Sequence, residues 1–127
     1  MEEELQFSIS SDAGGKQLEG GRNYRLHLPP GIPASNFWSV IVYDSRTRLI
    51  IKNNQLWPSV YSTCKRLVVN QNGSVNILFG PKATAGKESN WIKTIPGKGW
   101  YMILRLYGTM ESWYDKTWKP GEIEVVK

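Results

Sequence analysis

A chain of 127 residues with 40% hydrophobic and 21% charged residues has the size and composition of one globular core, which sets aside a disordered or fibrous chain and two independent domains. The net charge of +5 comes from Lys and Arg scattered along the chain rather than gathered in a run or a helical stripe, so the cations read as a solubilising surface and no nucleic-acid partner is expected. A single cysteine, Cys64, and a single histidine, His27, leave no internal disulfide and give no expectation of a metal site or a cofactor.

No apolar run approaches the roughly 20 residues that cross a bilayer. Met1-Glu2-Glu3-Glu4 lacks the basic and apolar regions of a signal peptide. The expectation is a soluble chain without a membrane span or leader, its compartment unspecified.

Alternation of period two recurs along the chain, bounded by Gly, Pro and Asn, whereas helical periodicity is scarce. Residues 5–9 predict a first strand with Leu5, Phe7 and Ile9 on one face, ended by a turn through Asp12, Gly14 and Gly15. Residues 23–28 predict a second, with Tyr24, Leu26 and Leu28 inward and Arg25 and His27 outward; the prolines Pro29, Pro30 and Pro33 stop it. The nearly continuous apolar stretch 37–43 predicts a central strand, with Trp38, Val40 and Val42 on one side. Residues 48–57 mix a strand-like Leu49-Ile50-Ile51 with Asn53-Asn54, and predict a loop of little regularity.

Asn72-Gly73, between Leu67-Val68-Val69 and Val75 to Phe79, predicts a hairpin with a type I′ turn, since both residues accept positive φ. Residues 80–86 predict a loop, 91–95 a brief pairing, and Pro96-Gly97 a turn. Residues 100–107 predict a strand with Trp100, Met102, Leu104 and Leu106 on one face and Tyr101, Ile103, Arg105 and Tyr107 on the other. Residues 109–115 open on a capping-like Thr109 and predict one or two helical turns, before Pro120-Gly121 leads into a closing strand at 123–126. Seven to nine short strands without an internal repeat predict an all-β, mostly antiparallel β-sandwich of the jelly-roll kind, forming one domain over residues 1–127.

From about Phe7 onward the chain resembles a bacterial family known as domain of unknown function twelve-fourteen. The resemblance rests on Phe37-Trp38-Ser39 with Tyr43-Asp44, on Asn72-Gly73-Ser74, Gly80-Pro81, Asn90-Trp91 and Pro96-Gly97, on Arg105-Leu106-Tyr107-Gly108, and on Trp118 with Pro120-Gly121. It implies a jelly-roll-like sandwich that commonly forms the C-terminal part of larger proteins, after another domain of unknown function. It implies no particular reaction and no catalytic residues. At position 109 this chain has Thr where the family pattern favours proline.

Several residues are candidates for chemistry. Arg105 interrupts an otherwise apolar strand face, so its guanidinium needs a partner: a carboxylate such as Asp44 or Asp115, loop carbonyls, or a ligand carboxylate or phosphate. Six tryptophans, Trp38, Trp57, Trp91, Trp100, Trp113 and Trp118, pack the core or, where they lie near turns, stack on sugar rings or bases. Glu88, Asn90, Trp91, Asp115 and Trp118 supply polar groups and rings that line a cleft if the fold gathers them around Arg105. The stretch 80–87 has five residues between its glycines and Glu88 where a P-loop has a hydroxyl, so it is not a phosphate loop. His27 lies on an outward strand face with no nucleophile-elbow motif, and Asn72-Gly73-Ser74 reads as turn geometry rather than a glycan site.

Two functions of different class follow. The leading one is a non-catalytic module that binds a small molecule or carbohydrate, or docks a partner domain or a second copy of itself. The other is an enzyme domain in which Arg105, Glu88, Asn90 and Asp115 converge on a carboxylated, phosphorylated or carbohydrate substrate.

Overall fold

The computed structural model describes residues 4–32, 34–51, 59–63, 65–83, 86–109 and 118–126. Among these, eight strands follow in order: β1 (Glu4–Ile9), β2 (Asn23–Leu28), β3 (Ala34–Asp44), β4 (Ser59–Tyr61), β5 (Val75–Gly80), β6 (Trp91–Lys93), β7 (Trp100–Thr109) and β8 (Ile123–Val126). The one helical element described is a single 3-10 turn at Glu88–Asn90. The chain is all-β, as the alternation predicts. No described helix is long and apolar enough to cross a membrane.

The strands make two four-stranded sheets, β1-β7-β3-β4 and β6-β5-β2-β8. Ladders are antiparallel except between β5 and β6, which run parallel. In β2 the side chains alternate without a break, Tyr24, Leu26 and Leu28 buried and Asn23, Arg25 and His27 exposed. In β7, Trp100, Met102, Leu104 and Leu106 are likewise buried, and opposite them in β3 stand Val42, Val40 and Trp38. Ile77 and Phe79 of β5 and Ile123 of β8 complete one buried cluster between the sheets. Each such aliphatic contributes about 1.5–3 kcal/mol on burial. Trp100 ties the layers together, its ring 4.7 Å from Phe79 and edge-on to Tyr24 at 5.6 Å.

Three expectations meet a different outcome or fall elsewhere. Asn72-Gly73 does not join a hairpin. Gly73 has φ +88°, but Arg48 is the one non-glycine with positive φ among the described residues, so the type I′ pair is missing. β6 takes its edge of β5 only at Leu78–Gly80; at Asn76 the Asn90 side chain stands there instead, bonding Asn76 O as well as Val68, and residues 67–70 form no ladder with β5. The turn is closed by the main chain, with Gly73 N–H on Asn70 O and Asn70 N–H on Ser74 O, each at 2.9 Å, and by Asn72, whose Oδ1 accepts the Ser74 N–H at 2.9 Å and the Ser74 hydroxyl at 2.6 Å. Thr109 closes β7, opposite Ala34, rather than opening a helix; the rest of that predicted helix lies outside the described residues. So do residues 52–57 of the predicted loop, Trp57 among them, and Cys64, Trp113 and Asp115.

Candidate functional site

The predicted site residues fall on different parts of the fold. Asn90 is 2% exposed and bound to the main chain: its Oδ1 accepts the Val68 N–H at 2.8 Å, and its Nδ2 donates to the carbonyls of Val68 and Asn76, each at 2.9 Å. Beside it, Trp91 donates its indole N–H to the Gly80 carbonyl at 3.0 Å. Trp118 is buried and donates its own to Pro29 O at 3.0 Å. Glu88 is exposed, and its Oε1 accepts the Gly86 N–H at 3.0 Å. Its carboxyl is held below the ordinary value of 4.5 by its own backbone N–H and then by that of Gly86. Glu88, Asn90 and Trp91 thus lie at the β6 edge of the β6-β5-β2-β8 sheet and Trp118 by the end of β2, while Arg105 stands in the other sheet. Asp115 lies outside the described residues.

Arg105 is half-buried at the middle of β7, directly opposite Gln6 of β1 on one side and Ser39 of β3 on the other. Directly opposed residues of an antiparallel pair project from the same face, so this register assembles the outer surface of the sheet. Tyr101 and Tyr43 are opposed and stack at 5.3 Å with 13° between their planes. Ile103 faces Ile41, and Tyr107 faces Phe37 with ring centres 5.4 Å apart. Tyr61, carried by β4 opposite Ser39, reaches Phe37 at 6.3 Å. The result is a surface of half-buried aromatic and aliphatic side chains around one guanidinium. Asp44 stands at the far end of the ladder opposite Trp100, and its Oδ1 accepts the backbone N–H groups of Arg46 and Thr47.

The outer surface of the other sheet is mixed, with Glu124, Arg25, Leu78 and Trp91 side by side in one cross-strand row. Arg25 pairs with Glu124 at 3.4 Å, His27 Nδ1 lies 2.7 Å from Asn76 Oδ1, and these groups rim a shallow polar depression with Glu122. The outer face of the β1-β7-β3-β4 sheet thus carries aromatic rings in cross-strand contact, whereas that of the other sheet mixes an ion pair and a histidine with Leu78 and Trp91. Sequence reasoning singled out Arg105 but not the ring system around it. The available signal was the second face of residues 37–43, where Phe37, Ile41 and Tyr43 alternate with the core residues.

Residues 3–111 match the family model described as protein of unknown function (DUF1214), and the chain belongs to that family. A solved structure of the VPA0106 protein from Vibrio parahaemolyticus is similar over 98% of this chain and 31% of that one, at 25% identity and a TM-score of 0.82. A putative uncharacterised protein from Burkholderia cenocepacia is matched over 95% of this chain and 34% of its own, at 15% identity and a TM-score of 0.48. The chain thus spans about a third of the length of these solved chains. No curated protein matches it.

Proposed function

We propose that this domain is a non-catalytic interaction module that docks a protein surface on the outer face of the β1-β7-β3-β4 sheet. The carrying observation is the contrast between the two outer faces. Phe37, Tyr43, Tyr101 and Tyr107 stand in cross-strand ring contact on one, while the other mixes Leu78 and Trp91 with Arg25, His27 and Glu124. An antiparallel sheet that met only water on its outer side would alternate apolar and polar residues through the sheet. Aromatic rings with an arginine among them are the side chains enriched where protein surfaces bury one another.

Protein docking fits this face better than sugar stacking. A sugar ring needs an open aromatic face, and the faces by which Tyr43 and Tyr101 meet are closed to it. The enzyme reading requires Asn90 and Glu88 to act beside Arg105. Asn90 instead bonds three main-chain groups, and Glu88 caps a loop on the other sheet.

A photo-crosslinking amino acid placed at Tyr101, and in a control at Arg25, tests the reading. The expected result is one defined polypeptide segment joined from position 101 and lost when Ile103→Glu is added. Crosslinks from position 101 that are no more selective than those from position 25 would remove the docking function.

A further inference from the structure

A second feature stands independently of the aromatic face, one residue beyond the Tyr43–Tyr101 pair along the same two strands. Between the turn that leaves β3 and the segment that enters β7 lies a depression of about 490 Å³, lined by Asp44, Arg46, Thr47, Gly97, Lys98 and Gly99. One main-chain bond joins its two walls and two more hold the Lys98 segment in place. Gly99 O accepts the Ser45 N–H at 3.1 Å, Lys98 O accepts that of Gly20 at 2.9 Å, and the Lys98 N–H donates to Ile95 O at 3.0 Å. A Cβ on Gly99 would stand 2.7 Å from Ser45 Oγ and 2.8 Å from Gln17 Nε2, so the two walls approach closely there.

The charges in this depression are unbalanced in their bonding. The one carboxylate of the lining belongs to Asp44, whose Oδ1 accepts the N–H groups of Arg46 at 2.8 Å and Thr47 at 3.3 Å. It thereby holds its own turn. Arg46 and Lys98 have no ion pair or side-chain hydrogen bond among the described residues. Arg22 and Arg25, by contrast, lie 3.2 Å and 3.4 Å from Glu19 and Glu124. Thr47 Oγ1 accepts the Leu49 N–H at 3.2 Å, which leaves its hydroxyl hydrogen to donate. A guanidinium that binds in a fork, an ammonium that acts as a point charge, and a hydroxyl donor are the groups that complement an oxyanion.

We propose that this depression is a subsite for a small oxyanion, the carboxylate or phosphate group of a ligand, held by Arg46 and Lys98 with Thr47 as hydroxyl donor. The test is a titration of 15N-labelled protein with sodium phosphate, sodium acetate and sodium chloride at matched ionic strength, following the backbone amides of Arg46, Thr47, Lys98 and Gly99. The expected result is saturable shifts confined to these amides with at least one oxyanion and a flat response to chloride. Saturation by phosphate alone assigns a phosphate-bearing ligand, saturation by acetate alone a carboxylate, and saturation by both a general oxyanion site. Arg46→Ala with Lys98→Ala weakens the apparent Kd about tenfold or more, while Arg25→Ala leaves it unchanged. Both substituted side chains are exposed, and an unaltered spectrum elsewhere verifies the fold. No saturable oxyanion response, an equal response to chloride, or a response that survives the double variant overturns the proposal.

Discussion

The side-chain amide of Asn90 closes on the backbone of Val68 from both sides, accepting its N–H at 2.8 Å and donating to its carbonyl at 2.9 Å. This pair does what a neighbouring strand would do for residues 67–70, which join no ladder. Asn90→Ala leaves these groups and the Asn76 carbonyl without their partner, at a cost of about 1–3 kcal/mol. Asn90→Asp costs at least as much, because a carboxylate accepts but cannot donate to the two carbonyls. Urea unfolding measures both, and hydrogen exchange locates the loss of protection at residues 67–70.

Gly20 and Gly15 separate two reasons for glycine. At Gly20 a Cβ would overlap the backbone of Ile95, which is held in place by the Lys98 N–H on its carbonyl. Gly20→Ala must therefore move main chain, and the expected loss is about 3 kcal/mol or more. Gly15, at φ +82°, has open space around its absent Cβ. Gly15→Ala meets only the backbone preference and costs about 1 kcal/mol. Thermal unfolding of the two variants compares them directly.

Arg48 sits at φ +62° in the turn between β3 and Leu49, where its N–H donates to Asp44 O at 2.8 Å. An L-residue there bears about 1–2 kcal/mol of strain. Glycine relieves it, less the extra chain entropy of about 0.5–1 kcal/mol. Arg48→Gly is expected to raise the unfolding free energy by up to about 1 kcal/mol, read from chemical denaturation. A loss of stability would show that the arginine side chain holds the turn.

The Glu88 carboxyl titrates below its ordinary value of 4.5 because its charged form is stabilised by the backbone N–H groups of Glu88 and Gly86. A depressed folded-state pKa stabilises the fold above the ordinary value, and that contribution disappears as the pH falls through the folded-state value. Carboxyl-carbon NMR places the midpoint below 4.5, and Glu88→Gln removes this step from the acid side of the stability profile. A midpoint at or above 4.5 would mean that neither the Glu88 nor the Gly86 backbone bond persists in solution.

Part of the candidate site was legible in advance. Alternation along residues 100–107 places Arg105 on the face with Ile103 and Tyr107, opposite to Met102 and Leu104, whichever strands lie beside it. The cleft imagined around Arg105 was not legible. Asn90 and Trp118 carry polar groups in turn-rich segments, and a sequence does not reveal that each is engaged by a main-chain group. The Asn72-Gly73 signal misled for a related reason. A turn motif reports local backbone preference, while a hairpin also needs its two arms to pair directly, and here the Asn90 side chain bonds both Val68 and Asn76.

What the sequence determines here is local: strand positions, and which side of each strand is apolar, because side chains alternate along extended backbone regardless of the partner. Which strands become neighbours is decided by the tertiary structure, through pairings as remote as Tyr43 with Tyr101 and Gln6 with Arg105. Those registers turn separate aromatic residues into one continuous face and set the Arg25–Glu124 pair beside Leu78 and Trp91 on the other. The energy that selects them comes from burial shared by both sheets at once, which no single segment carries.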